Sequence, residues 1–159
     1  MTLAPASSSI RVPRRAGKMR GAAAVELGIL LVPVLILTFG VTEYGRAIYT
    51  YNALDKSTRD AARHMTSPNP NRQAEAVNLA VYGNTAGSGY ALAPGLSPSN
   101  VVICDPTACP GTHASIPTGS GVVNLVTVGI NNYQYSSIVT YVAPATLNFN
   151  NISTTMRTQ

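Results

Sequence analysis

Residues 22–42 read AAAVELGILLVPVLILTFGVT, and Glu26 is the one charged residue among them. A helix of this length, at about 1.5 Å per residue, measures about 30 Å, which is the thickness of a bilayer core. The segment is apolar on all sides, whereas a surface helix is apolar on one side only. It therefore predicts a transmembrane helix, and Pro33 predicts a kink within that helix.

The residues before this segment are basic. They include Arg11, Arg14, Arg15, Lys18 and Arg20, and no acidic residue accompanies them. Positive charge beside a membrane helix favours the cytoplasmic side. We therefore expect the N-terminus in the cytoplasm and the C-terminal part outside the inner membrane of a bacterial cell. Beyond residue 21 basic and acidic residues are equal in number, which argues against a nucleic-acid-binding groove.

Glu26 is unusual because a carboxylate in a membrane helix is costly unless it has a partner or reaches water. It lies close enough to the start of the segment to extend toward the cytoplasmic interface. It is also the fifth residue after Gly21. If the chain were cut after Gly21, Ala22 would carry a new amine, and the amine of a neighbouring subunit could neutralise Glu26. The residues leave both interpretations open.

A basic leader that ends in glycine, followed by glutamate at the fifth position and an apolar helix, resembles the class III signal of prepilins and pseudopilins. More narrowly, residues 20–64 resemble the TadE-like family, the pseudopilins of tight-adherence (Flp) secretion systems. The matching residues are Gly21, Ala24, Val25, Glu26, Pro33, Glu43, Tyr44, Gly45, Arg46, Ala61, Ala62 and Arg63. Flp major pilins place tyrosine after the glutamate, whereas this chain has Leu27, which disfavours a major-pilin role.

The resemblance implies a minor pilin or pseudopilin that is cleaved between Gly21 and Ala22 and uses Glu26 as an assembly contact. Its implied partners are a prepilin peptidase, inner-membrane platform proteins, the Flp pilin and a second pseudopilin. The implied role is pilus assembly for adhesion and biofilm formation, without a cofactor, nucleic acid or small-molecule substrate. The alternative is an uncleaved single-pass membrane protein whose outer domain binds a ligand.

Residues after the apolar segment have a helical period, so we expect one helix over 22–64. One face of this helix recurs at intervals of three and four residues, and we expect it to pack on the protein's own sheet. It carries Tyr44, Ala47, Ile48, Tyr51, Leu54, Asp55, Thr58, Ala61 and Ala62. The prolines of SPNPN (67–71) end the helix. The predicted organisation is a leader over 1–21, this helix, and an extracytoplasmic domain over 65–159.

The C-terminal part predicts a second helix and then strands. NRQAEAVNLAVYGN (71–84) has a helical pattern that stops at Gly83. VVIC (101–104), VVNLVTVGINNYQY (122–135) and a closing strand in either SSIVTYVA (136–143) or TLNFNNISTTM (146–156) favour a small antiparallel sheet. The expected fold class is α+β, with a long N-terminal helix packed on that sheet as in pilins.

Cys104 and Cys109 are the chain's two cysteines and lie in a turn-rich segment. A close pair in an exported protein favours a disulfide. The competing interpretation is a metal site formed by these cysteines with Asp105 and His113, although one histidine is few for zinc. Neither His64 nor His113 has a nucleophile and an acid at the spacing of a catalytic triad, so we expect no enzymatic activity.

Overall fold

The computed structural model describes residues 19–67 and 71–158, with side chains from residue 21 onward. The basic residues Arg11, Arg14, Arg15 and Lys18 lie outside this part, as do the prolines of SPNPN. The chain divides into two compact units, with the boundary between Thr38 and Phe39.

One helix dominates the described chain. α1 runs from Met19 to Met65 and continues through Pro33. A second helix, α2 (Arg72–Tyr82), ends at Gly83, whose backbone has a φ of 71°. Glycine adopts this left-handed conformation without steric cost, which is why it ends the helix at that position. A short third helix is α3 (Pro110–His113).

Among the described residues, six strands follow α2. They are β1 (Val101–Cys104), β2 (Ile116–Thr118), β3 (Gly121–Ile130), β4 (Gln134–Ser136), β5 (Thr146–Asn148) and β6 (Ile152–Thr158). β3 pairs with β1, β2 and β6, and every pairing is antiparallel. β4 and β5 form a separate antiparallel pair. The expected α+β class, a long N-terminal helix followed by a small antiparallel sheet, is confirmed.

The predicted strand over 122–135 divides into two. β3 ends at Ile130 and β4 begins at Gln134. Between them Asn132 has a φ of 55°, and asparagine is one of the few residues that tolerate this left-handed backbone. Of the two segments considered for the closing strand, the second one forms it. Residues 137–145 are a loop, whereas 146–156 contains β5 and most of β6.

The core lies in the second unit and has two clusters. In the first, Leu54 of α1 is buried with Tyr133, Tyr135 and residues of β3 and β6. In the second, Ala61, Ala62 and Met65 of α1 are buried with Ala76 and Ala80 of α2 and with valines of β3. Alanine at these positions lets helix backbones approach their neighbours closely, so the small residues of α1 mark the packed face.

The prediction for the apolar face of α1 is confirmed for its small side chains and Leu54, and it is wrong for the large side chains near the apolar segment. Tyr44 and Ile48 are 58% and 60% exposed, and Tyr51 is 44% exposed although its ring makes an edge contact with Phe149. The smaller members of the predicted face and Leu54 are buried as expected: Ala47, Leu54, Thr58, Ala61 and Ala62. Periodicity therefore identified the packed face, but it did not show that the large side chains nearest the apolar segment stay exposed.

Candidate functional site

The predicted cleavage site lies in the first turn of α1. The helix begins at Met19, so Gly21 and Ala22 are its third and fourth residues, and both are exposed. A Cβ built on Gly21 meets no atom within 4 Å, so the fold itself does not require glycine there.

Glu26 and Pro33 lie further along the same helix. Glu26 is exposed, and the four-residue separation from Ala22 corresponds to about 6 Å along the helix axis. Pro33 is inside the helix, where its ring removes one backbone hydrogen bond. The apolar side chains around both residues are exposed, as they are throughout residues 21–39.

One helix in the described chain is long and apolar enough to cross a membrane. It covers Gly21–Met65, its most apolar stretch has a mean hydropathy of 2.4, and 6% of that stretch is buried. A helix that serves as the core of a soluble protein would be mostly buried. The apolar surface of this helix is instead left open, which suggests a membrane anchor.

A buried carboxylate directly follows the apolar segment. Glu43 is 3% exposed, and its Oε1 accepts hydrogen bonds from the Tyr135 hydroxyl at 2.8 Å and from the Ile138 backbone N–H at 3.1 Å. The Arg46 guanidinium lies 4.0 Å from Oε2 and 5.4 Å from the centre of the Tyr135 ring. These contacts join α1 to β4 and to the loop that follows β4.

Burial and pairing act in opposite directions on Glu43. Burial raises the pKa of its carboxyl, but the hydrogen bonds from Tyr135 and Ile138 and the Arg46 charge outweigh burial, so the pKa lies below the ordinary value. Burial, followed by the hydrogen bond to Glu43, raises the pKa of Tyr135. Glu43 is therefore ionised and Tyr135 neutral at neutral pH, which is the protonation state that their hydrogen bond requires.

Sequence reasoning gave Glu43 and Arg46 no role beyond their place in the family pattern. An acidic residue directly after an apolar segment was the available signal. Its main partner, Tyr135, is 92 residues away in the chain, and nothing in the local sequence pairs the two.

The cysteine segment closes on itself. Cys104 at the end of β1 and Cys109 before α3 form a disulfide, with Cα atoms 5.5 Å apart. Asp105 is 3% exposed and its Oδ1 accepts hydrogen bonds from the N–H groups of Thr107 and Ala108. The carboxylate thus shapes the turn that brings the two sulfurs together.

The four residues considered for a metal site are not all brought together. The sulfurs of Cys104 and Cys109 and a ring nitrogen of His113 lie within 4.8 Å of one another, and Asp105 is not in this group. Both nitrogens of His113 are hydrogen-bonded, Nδ1 with Thr112 and Nε2 with Thr127, each at 2.8 Å. Sulfurs bonded to each other are not thiolates, so this arrangement is a stabilised loop rather than a set of metal ligands.

His64 has a partner that the sequence did not indicate. Its Nε2 lies 2.6 Å from Oε2 of Glu75, so the end of α1 is joined to α2 by their side chains.

Residues 21–63 match the TadE-like protein family. The TadE-like segment includes Gly21, Glu26, Pro33, Glu43 and Arg46, and it ends near the end of α1. The match agrees with the family resemblance noted from the sequence and supports a Tad pilus-associated protein with an apolar N-terminal helix.

The TadE-like family consists of pilus-associated structural proteins rather than known enzymes. No curated protein and no solved structure matched the chain. The part of the chain after residue 63 therefore has to be interpreted from its own geometry.

Proposed function

We propose that this protein is a minor pilin or pseudopilin that assembles Flp-type pili of a tight-adherence system. It inserts in the bacterial inner membrane with its N-terminus in the cytoplasm and its C-terminal domain outside. A prepilin peptidase then cleaves it after Gly21, and the pilus it helps to assemble serves adhesion and biofilm formation. The observation that carries the proposal is the TadE-like match over residues 21–63, which begins at the proposed cleavage site.

The domain boundaries follow from this proposal. Residues 1–21 are the leader that cleavage removes, residues 22–64 form the membrane helix with its continuation, and residues 65–159 form the extracytoplasmic domain. Gly21 and Ala22 are both exposed, which supports access for the peptidase.

Glu26 is the proposed assembly contact. An ionised carboxylate in a membrane helix is costly, although less so near the end of the helix than at the bilayer centre, and pairing with a cation offsets this cost. Cleavage creates such a cation, the amine of Ala22, at the membrane-embedded end of each subunit. Glu26 of one subunit then selects the position at which the next subunit packs, because one helix offset brings the two charges together.

The exposed face of α1 supports lateral packing of helices. Apolar residues recur along it at alternating intervals of three and four, and each is at least 56% exposed: Leu27, Leu30, Val34, Leu37, Val41, Tyr44 and Ile48. This spacing is the pattern by which one helix packs its side chains between those of another. We assign this face to contacts with the Flp pilin and a second pseudopilin, and we assign to Pro33 a kink that adjusts the helix path.

The energy for assembly has to come from other proteins of the system. The sequence has no phosphate-binding glycine motif for ATP, so a separate cytoplasmic ATPase and inner-membrane platform proteins would drive assembly. The competing function, an uncleaved membrane-anchored binding protein, requires none of these partners and is separated from the proposal by the state of the N-terminus.

Cleavage is tested by two substitutions at one position. We expect Gly21→Val to block cleavage strongly and Gly21→Ala to reduce it less, because the peptidase must accommodate the side chain at this position. Neither variant should disturb the fold, since a Cβ at Gly21 meets no atom within 4 Å. Mass measurement of the membrane-bound protein gives the cleaved fraction. Complete cleavage of Gly21→Val would contradict the proposed site.

The role of Glu26 is tested after cleavage. We expect Glu26→Gln, which keeps the shape but removes the charge, to be cleaved normally and yet to be missing from sheared pili. Asp55→Asn is a matched control, since it removes a carboxylate from the same helix outside the apolar segment. Normal incorporation of Glu26→Gln would show that charge pairing does not direct assembly.

A further inference from the structure

The loop between β4 and β5, residues 137–145, is apolar and ordered. It reads SIVTYVAPA and contains no charged residue. Ile138 is 73% exposed and Tyr141 is 99% exposed. A large aliphatic side chain and an aromatic one that are both open to solvent in one short loop indicate a surface that contacts something else.

The loop's own hydrogen bonds hold these two side chains outward. The N–H of Ser137 donates to the carbonyl of Ala145 at 3.0 Å, which closes the loop at its base. The N–H groups of Val142 and Ala143 both donate to the carbonyl of Val139, which forms a tight turn around Tyr141. Ala143 is buried beneath this turn, so the loop presents a fixed surface.

The loop is attached to α1 at the end of the apolar segment. The Ile138 N–H donates to the carboxylate of Glu43, the first residue after that segment. Val142 packs against Gly40, close enough that a Cβ built there would lie 3.1 Å from its Cγ1 atom. Gly40 and Glu43 are separated by about 4.5 Å along the helix axis. The loop therefore lies beside the last turn of the apolar segment.

We propose that loop 137–145 is a second membrane contact, in which Ile138 and Tyr141 enter the outer interface of the bilayer. The proposal rests on the membrane insertion of residues 22–42 proposed above, since that insertion places Gly40 at the interface. Aromatic and aliphatic side chains are favoured at this depth, where tyrosine keeps its hydroxyl among the headgroups. The neighbouring carboxylate of Glu43 is buried and hydrogen-bonded, so it does not oppose contact with lipid phosphates.

Lipid is favoured over a protein partner because of this position. A protein-binding loop could lie anywhere on the domain, whereas this loop is fixed to the helix at the level where the apolar segment ends. Tyr90 provides the contrast, because it is 98% exposed in a different loop. Nearby Leu92 lines a groove with Asn52, Ser57 and Asp60 of α1. These helix residues begin about 15 Å beyond Thr42, so Tyr90 belongs to a region outside the interface.

The chain contains no tryptophan, so a single tryptophan is a unique fluorescent reporter. Three variants of the full chain are reconstituted in vesicles of phosphatidylcholine and phosphatidylglycerol, with and without bromine near the headgroup end of the acyl chains. Tyr141→Trp reports on the loop, and Tyr90→Trp is the matched control of equal exposure. Phe39→Trp, inside the apolar segment, reports on helix insertion. Circular dichroism verifies that each variant is folded.

We expect brominated lipid to quench the tryptophan of Tyr141→Trp and of Phe39→Trp, and to leave that of Tyr90→Trp unquenched. Quenching in Phe39→Trp with none in Tyr141→Trp would overturn the loop contact and leave the membrane anchor intact, and the exposed loop would then be available to a protein partner. Absence of quenching in Phe39→Trp would overturn both the anchor and the loop contact that depends on it. Equal quenching in Tyr141→Trp and Tyr90→Trp would also overturn the proposal, because the contact would not be specific to this loop.

Discussion

The two halves of α1 have the same backbone conformation and opposite surroundings. In residues 22–39 every side chain is exposed, including the large apolar ones. In the half that follows Glu43, one face is buried, with Leu54, Ala61 and Ala62 at 0% exposure. Helix formation therefore does not distinguish the halves. The difference is that the second half is covered by the protein's own domain, whereas the first half requires a cover from outside the chain.

The amino-acid composition of each half explains its surroundings. Large apolar side chains on all sides of the first half allow no single face to turn toward water, so lipid or neighbouring helices must surround it. In the second half, alanine, serine and threonine occupy the face on which α2 and the sheet pack. We expect substitutions to affect the domain's stability in the second half and assembly in the first.

The largest expected effect on stability comes from a matched pair of leucines. Leu54→Ala should lower the free energy of unfolding by about 3 kcal/mol, because a buried side chain is removed and a cavity remains. Leu37→Ala should leave that free energy unchanged, since Leu37 is 68% exposed. Urea unfolding in detergent, followed by near-ultraviolet circular dichroism of the tyrosines, gives both values. Equal losses would show that the two halves form one cooperative unit.

The disulfide offers a second test of whether the stability of the domain is independent of the membrane helix. Replacing Cys104 and Cys109 together by serine should lower the stability of the domain by about 2 kcal/mol, because the bond closes a short loop. Membrane insertion should be unchanged. Thiol labelling of the unreduced protein is the direct check: if both cysteines were labelled, the disulfide would be absent in the isolated protein.

A smaller, pH-dependent effect is expected at Glu43, where the two halves meet. Its pKa is lowered in the folded protein from the ordinary value of 4.5. Its carboxyl therefore stabilises the fold fully above the unfolded pKa, and this contribution is lost as the pH falls through the lower, folded pKa. The midpoint temperature of thermal unfolding should therefore fall over this acidic range, and it should fall more for the wild type than for Glu43→Gln. Identical pH profiles would show that Glu43 is not the responsible group.

The smallest effect is expected at a surface ion pair of the second half. Arg59 Nη2 lies 2.7 Å from Oδ2 of Asp55, one helical turn earlier, and the arginine side chain is 63% exposed. Asp55→Ala should cost about 0.3 kcal/mol, and salt should reduce this further. The urea experiment used for Leu54→Ala measures it. A loss close to that of Leu54→Ala would mean that charge, rather than packing, holds the domain on this helix.

The elements that depend on local pattern could be predicted from the sequence. Hydropathy and periodicity predicted α1, Gly83 predicted the end of α2, and the β-branched run VVIC predicted β1 with its bounds. The short elements α3 and β2 were missed because three or four residues contain no period. Periodicity also placed Ala47, Leu54 and Ala61 on the packed face of α1, where they are buried. It could not show that Tyr44 and Ile48 on that face stay exposed, because this depends on where the domain meets the helix.

The residues of the candidate site also differ in whether the local sequence indicates them. Gly21, Glu26 and the cysteine pair are recognisable from spacing within a few residues. The pairing of Glu43 with Tyr135 and the attachment of loop 137–145 to Gly40 depend on contacts between distant parts of the chain. Local spacing does not specify such contacts, since the partners lie more than 90 residues apart in the chain.

The central claim is that the first half of α1 becomes the N-terminus of a mature pilus subunit. The mass of the protein purified from cells with the prepilin peptidase, and from cells without it, tests this most directly. The account predicts a chain that begins at Ala22 when the peptidase is present and retains residues 1–21 when it is absent. A chain that retains residues 1–21 in both kinds of cell would contradict it.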